Sequence, residues 1–184
     1  MLITVRALCR SLWVAGFLAL AASTLALADL GVGDVLPTLS GADLNGHVLT
    51  LPAAVQGRVT LLALGFGDPS RLAVQAWAHR FLSDFGGDSA VACYEVSMVG
   101  GMGAWLRPWI EASLRRSTPI EDRARLLMRY GGTGDWKRRV GFDRDSDAYL
   151  LLLDREGRVA LLHHGPFIDA NYQNLAALVE RLRH

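Results

Sequence analysis

Two apolar runs constrain this chain more than any other feature. "RVTLLALGF" (Arg58 to Phe66) and "AVACYEVSMV" (Ala90 to Val99) are apolar at nearly every position, and Gly57 and Gly67 bound the first. A strand that is apolar at consecutive positions is buried on both faces, as a parallel sheet covered by helices requires. Between the runs, Leu72, Trp77, Phe81 and Phe85 recur near helical spacing, which predicts a helix over Ser70 to Phe85 ended by Gly86-Gly87. The order is a β-α-β unit, with the right-handed crossover such units adopt.

The flanking segments extend the pattern. Asn45-Gly46 marks a hairpin tip before the alternating "HVLTL". Gly100 to Arg139 carries two helical patterns separated at Ser117-Thr118-Pro119. Thr118 is placed to cap the second, with Pro119 at its first position and Glu121 completing a capping box. "AYLLLLD", the turn Arg155-Glu156-Gly157 and "RVALLHHG" read as a strand-turn-strand hairpin. Asp169 to Leu182 reads as a closing helix with Leu175, Leu178, Val179 and Leu182 on one face. The sum is an α/β fold: a central mixed sheet flanked by helices, an N-terminal strand or hairpin, and a helical insertion over about residues 100–139.

Residues 1–28 stand apart. Arg6 and Arg10 are the only charges before Asp29, and the apolar stretch after them closes on Ala26-Leu27-Ala28, an A-x-A cleavage pattern. This is the layout of a secretory signal peptide, or of an uncleaved anchor given the length of the run. Export, into the periplasm of a bacterium, is the expectation, with residues 29–184 as a single domain. Lys+Arg number 19 against 18 Asp+Glu. Without Arg6 and Arg10 the chain stays within one charge of neutral, so no global basic field for nucleic acid exists. Cys9 belongs to the leader and leaves Cys93 as the single remaining cysteine, so no intramolecular dithiol couple can form.

The first apolar run opens into Phe66-Gly67-Asp68-Pro69-Ser70-Arg71, and the hairpin carries Asp154, Gly157 and Arg158 after "AYLLLL". Both segments resemble the thioredoxin-like superfamily, in which the first strand runs into Trp-Cys-x-Pro-Cys and the hairpin begins with a cis-proline. The resemblance aligns Gly67 with the nucleophilic cysteine, Ser70 with the resolving one, and Ala148 with the proline, while Pro69 and Arg71 are kept. A non-proline cis bond costs about 2.5–4 kcal/mol, so an ordinary trans peptide is expected at Ala148. Thiol-disulfide exchange needs a thiolate that neither Gly67 nor Ser70 supplies. A narrower resemblance is to the family of mitochondrial ATP synthase assembly factor ten, which has a thioredoxin-like fold and assists assembly of that enzyme's membrane sector. It is carried by Gly41, Leu44, Gly46 and Leu51-Pro52, by Arg58-Val59-Thr60-Leu61-Leu62, by Trp77 with Phe81, by Leu114-Arg115-Arg116-Ser117-Thr118-Pro119, and by the Tyr149 to Arg158 block. The family has Ser before the tryptophan and Pro before the phenylalanine, where this chain has Ala76 and Arg80.

These readings imply a redox-inactive binding protein, an assembly or chaperone-type factor for a membrane or envelope complex. The alternative is a thiol-dependent oxidoreductase or peroxidase-like enzyme using Cys93 or a partner's thiol. Cys93 sits within a strand and reads as a core residue. His163-His164 point to opposite faces of a strand and cannot share a metal, and the aspartates of "DRDSDA" lack the rest of a calcium loop, so neither metal nor cofactor is expected. Asp68 or Ser70 is expected to cap the following helix. The candidate contact surfaces are the turn Gly67, Asp68, Pro69, Ser70, Arg71 with Ala148, and the insertion, where Trp105, Arg107, Trp109, Arg115, Arg116, Arg123 and Arg129 concentrate. Trp and Arg are the residues of interaction hot spots, and basic residues also favour an anionic membrane surface. A protein partner is expected, with peripheral contact to such a membrane, and no nucleic acid.

Overall fold

The computed structural model describes residues 29–184 apart from Met102, and the expected leader 1–28 lies outside the described residues. Its elements are β1 (Leu39–Asp43), β2 (Val48–Leu51), β3 (Val59–Gly65), α1 (Arg71–Phe85), β4 (Val91–Val99), α2 (Arg107–Ser117), β5 (Leu126–Tyr130), α3 (Thr133–Arg139), β6 (Ala148–Leu153), β7 (Val159–Gly165) and α4 (Asp169–Leu182). All seven strands join one mixed sheet in the order β2-β1-β5-β4-β3-β6-β7. The two apolar runs are its centre. β3 pairs in parallel with β4, Leu61 opposite Cys93, and antiparallel with β6, Leu62 opposite Leu151.

Every residue of β3 and of β6 is buried, so each strand feeds two cores. Leu61, Ala63, Leu150 and Leu152 face α1 and α4, meeting Trp77, Phe81, Tyr172, Leu175 and Val179. Leu62, Leu64, Leu151 and Leu153 face the opposite side, under the N-terminal segment, Trp136 of α3 and Phe66. Consecutive residues thus serve opposite faces, which is why the runs do not alternate with polar residues.

Three local expectations are corrected. The second helical pattern of the insertion is broken: after a single 3-10 turn at Ile120–Asp122 the chain becomes β5, and helix returns only as α3. A short apolar run fits either period, and what decides is the outer edge of β4, whose backbone groups need partners. β5 supplies them in parallel, Val96 opposite Leu127, and Glu95 N–H donates to Arg125 O at 2.9 Å. Thr118 therefore starts no second helix but ends α2, its N–H donating to Leu114 O at 2.9 Å, and Pro119 precedes the 3-10 turn without a side-chain cap. In α1 the buried set is Val74, Trp77, Ala78, Phe81 and Phe85, while Leu72 is 71% exposed. Two residues from Val74 is 200° around a helix, so Leu72 falls on the solvent side.

Candidate functional site

The site grows from the end of β3. Gly67 holds φ +157° and ψ 179°, a region open to glycine and strained for other residues. Asp68–Ser70 then makes a 3-10 turn that leads directly into α1. The expected cap is absent. The buried Ser70 hydroxyl turns back to donate to Gly67 O at 2.8 Å, and Asp68 Oδ1 accepts from Arg71 Nε at 3.2 Å. Gly65 permits this closure, because a Cβ there would stand 2.7 Å from Ser70 Oγ. The second segment of the resemblance is brought beside the turn: Tyr149, next to Ala148, meets the Phe66 ring edge-on at 5.4 Å. Ala148 is fully buried and follows a trans bond, since the cis peptide among the described residues is Leu51–Pro52.

Cys93 lies on β4 in the core beneath α1, 4% exposed. Burial, and then the negative charge of Glu95, push its thiol far above the ordinary thiol range. Burial favours its protonated form.

The insertion places its candidates unequally. α2 buries none of its residues fully. It is tied down by polar contacts: Arg115 Nε donates to Leu44 O at 2.7 Å, Tyr130 Oη donates to Glu111 Oε1 at 2.7 Å, and Arg107 lies over the Tyr130 ring at 4.5 Å. Arg123 donates to Thr118 O at 3.2 Å and to Arg115 O, and Arg129 to Ser40 O at 3.1 Å. Arg115 ties α2 to the segment after β1, Arg123 closes the insertion on itself at the end of α2, and Arg129 links β5 to β1. Trp136, by contrast, is core. Trp105 and Trp109 are 82% and 69% exposed, four residues apart, and Ser113 and Arg116 continue the same exposed row along α2.

Because α2 is held by tethers rather than by packing, a cleft of about 590 Å³ remains beneath it. Its walls are Val74 of α1, Ile110 and Leu114 of α2, and Leu126 and Met128 of β5, and the Gly67–Arg71 turn forms one end. Glu95 lines it from β4, two residues from Cys93 and so on the same strand face. Burial, then the nearby charge of Asp122, lift the Glu95 carboxyl to about 6. No sequence expectation singled out Glu95. The available signal was one carboxylate inside an otherwise apolar strand.

The histidines behave as the strand period requires. His163 meets Trp77 edge-on, whereas His164 stacks on Tyr149 and approaches Asp147 Oδ2 at 3.3 Å. Among the described residues no group of three or more His, Cys, Asp or Glu is placed to hold a metal ion.

The sheet order, the β3-turn-α1 junction and the closing hairpin with α4 define a thioredoxin-like fold. Solved structures of that fold match the chain over most of its length. A protein described as a thiol:disulfide interchange protein DsbE from Chlorobium tepidum superposes with a TM-score of 0.60 at 18% identity, covering 85% of this chain and 100% of that one. BsSco, a member of the Sco family of cytochrome c oxidase assembly proteins, gives 0.53 at 10% identity, covering 85% and 97%. The exposed lipoprotein thioredoxin of Streptococcus pneumoniae gives 0.54 at 14% identity, covering 79% and 100%. No family model and no curated protein sequence matches the chain.

Proposed function

We propose that this chain is a redox-inactive thioredoxin-like binding protein, exported and acting as an assembly or chaperone-type factor for a membrane or envelope protein complex. The observation that carries the reading is the exposed Trp105–Trp109 pair, in the 3-10 turn Ala104–Leu106 and the first turn of a helix tethered beside a turn that has no thiol. Large aromatics on a non-core face are what hot spots are made of. Arg116 lies exposed in the same row, and near an anionic leaflet each basic residue adds about 1 kcal/mol. Loss of the dithiol is also built into the backbone, because Gly67 sits where a side chain costs about 1–3 kcal/mol. Similarity to a Sco-family assembly protein, and to an exposed lipoprotein, is in keeping with an assembly role outside the cytoplasm. The resemblance to mitochondrial ATP synthase assembly factor ten makes a membrane sector of that kind the first client to examine.

The test is co-purification from the native compartment with the wild type and with Trp105→Ala/Trp109→Ala, each variant first shown to keep wild-type thermal stability. Arg115 is unsuited to this test, since its guanidinium holds Leu44. A discrete membrane-complex subunit retained by the wild type and lost by the double variant is the expected result. The same set of proteins with both baits would remove the outer face of α2 from the account.

A further inference from the structure

We infer that the cleft beneath α2 is a binding site for a small organic cation, an amine on a hydrocarbon stem, with Glu95 as its counter-ion and α1, α2 and β5 enclosing the stem. This goes beyond the docking face, which lies on the outer row of the same helix, and the two stand or fall separately.

The cleft has the size of a small-molecule site, and its lining pairs an apolar set with polar side chains. Val74, Ile110, Leu114, Leu126 and Met128 offer nothing to a strongly hydrated ligand, so they select a hydrocarbon portion. The charge balance selects the other end. Three ionisable side chains line the cleft: Asp68, Arg71 and Glu95. Arg71 is already paired with Asp68, and the Asp122–Arg125 pair at the start of β5 is likewise closed on itself at 3.3 Å. The neighbouring Cys93 is a neutral thiol. The Glu95 carboxylate has no hydrogen-bond or ion-pair partner among the described residues.

A carboxylate drawn into an apolar cleft without a partner costs stability when it ionises. A cation arriving from solvent removes that cost and gains a charge-assisted hydrogen bond. An anion meets repulsion from Glu95, and a neutral ligand gains only the walls. Ser97, Ser117 and Thr118 supply hydroxyls on the cleft surface for the remaining ammonium hydrogens.

The experiment compares hexylamine, 1-hexanol and hexanoate, three ligands with one stem and three charges, by amide chemical-shift titration of the purified protein at pH 8. The expected result is saturable shifts with hexylamine centred on Glu95, Ser97, Leu114 and Met128. Hexanol and hexanoate should bind about tenfold more weakly or worse. Glu95→Gln should lower hexylamine affinity by about tenfold and erase its advantage over hexanol. Wild-type affinity for hexylamine should fall as pH drops from 8 towards 5 and Glu95 takes up its proton. Leu114→Trp, which keeps the carboxylate and fills the cleft, should abolish binding of all three. Equal affinity for hexylamine and hexanol, unchanged hexylamine binding in Glu95→Gln, shifts centred away from the cleft, or no saturable binding of hexylamine would each overturn the inference.

Discussion

α1 and α2 cover one face of the same sheet by opposite means. α1 buries Val74, Trp77, Ala78, Phe81 and Phe85 against β3, β4 and β6, and the Trp77 indole N–H reaches Gly165 O at 3.3 Å. α2 buries none of its residues and is tied by Arg115, Glu111 and Arg107. Apolar packing excludes ligands as thoroughly as it excludes water. Polar tethers fix a helix at a distance and leave surface on both its sides. Buried packing is concentrated under α1, and the unpacked surfaces, an exposed row and a cleft, lie around α2.

Truncating the largest anchors separates the two regions most widely. Trp77→Ala should cost about 3–5 kcal/mol in denaturant unfolding, because a fully buried indole and its hydrogen bond are both lost. Trp109→Ala should stay within about 0.5 kcal/mol of wild type, since its side chain is solvated. Similar losses at the two positions would break the comparison.

The next effect is smaller and of opposite sign. Burial raises the Glu95 carboxyl from its ordinary 4.5 to about 6. Between those pH values the native state binds more protons than the unfolded chain, so stability falls as pH rises through the window, and the full cost is present above it. Glu95→Gln removes the titration. It should therefore stabilise the protein by about 1–2 kcal/mol at pH 8, with the gain gone at about pH 4. A pH-independent difference would show that Glu95 is not held in a desolvating cleft.

The smallest effect sharpens the picture of α2. Arg115→Ala removes the guanidinium from Leu44 O and should cost about 1 kcal/mol. Hydrogen exchange should locate the loss: faster exchange in α2, with the amides of β3 and β6 unchanged. Uniform acceleration through the sheet would mean that α2 is integral to the core.

How far each element was legible follows from the physics that holds it. The closing helix spans Asp169–Leu182 as its apolar period indicates, and the doubly buried strands and the final hairpin follow from continuous apolar runs. These signals are long and local. β5 was not legible, because "LLMRY" is short enough to fit a helix or a strand and is decided by the unpaired edge of β4, far away in sequence. The exposure of Leu72 follows from which residues of α1 face the sheet, and the apolar spacing alone was satisfied by a wrong partner set. Within the site, the absence of thiols was legible at Gly67 and Ser70. The return of the Ser70 hydroxyl to Gly67 O, the commitment of Arg115, Arg123 and Arg129 to backbone carbonyls, and the solitary position of Glu95 depend on three-dimensional neighbours.

Under the proposed function this fold works by binding and without a thiol. The measurement that tests it most directly is the alkylation rate of Cys93 in the native protein, followed by mass spectrometry of the peptide that carries it. Buried and protonated, Cys93 should be labelled only as fast as the core opens, and Trp77→Ala, by destabilising that core, should accelerate the labelling. Rapid labelling of the wild type, at the rate of an exposed thiolate, would contradict the account and return the chain to redox chemistry.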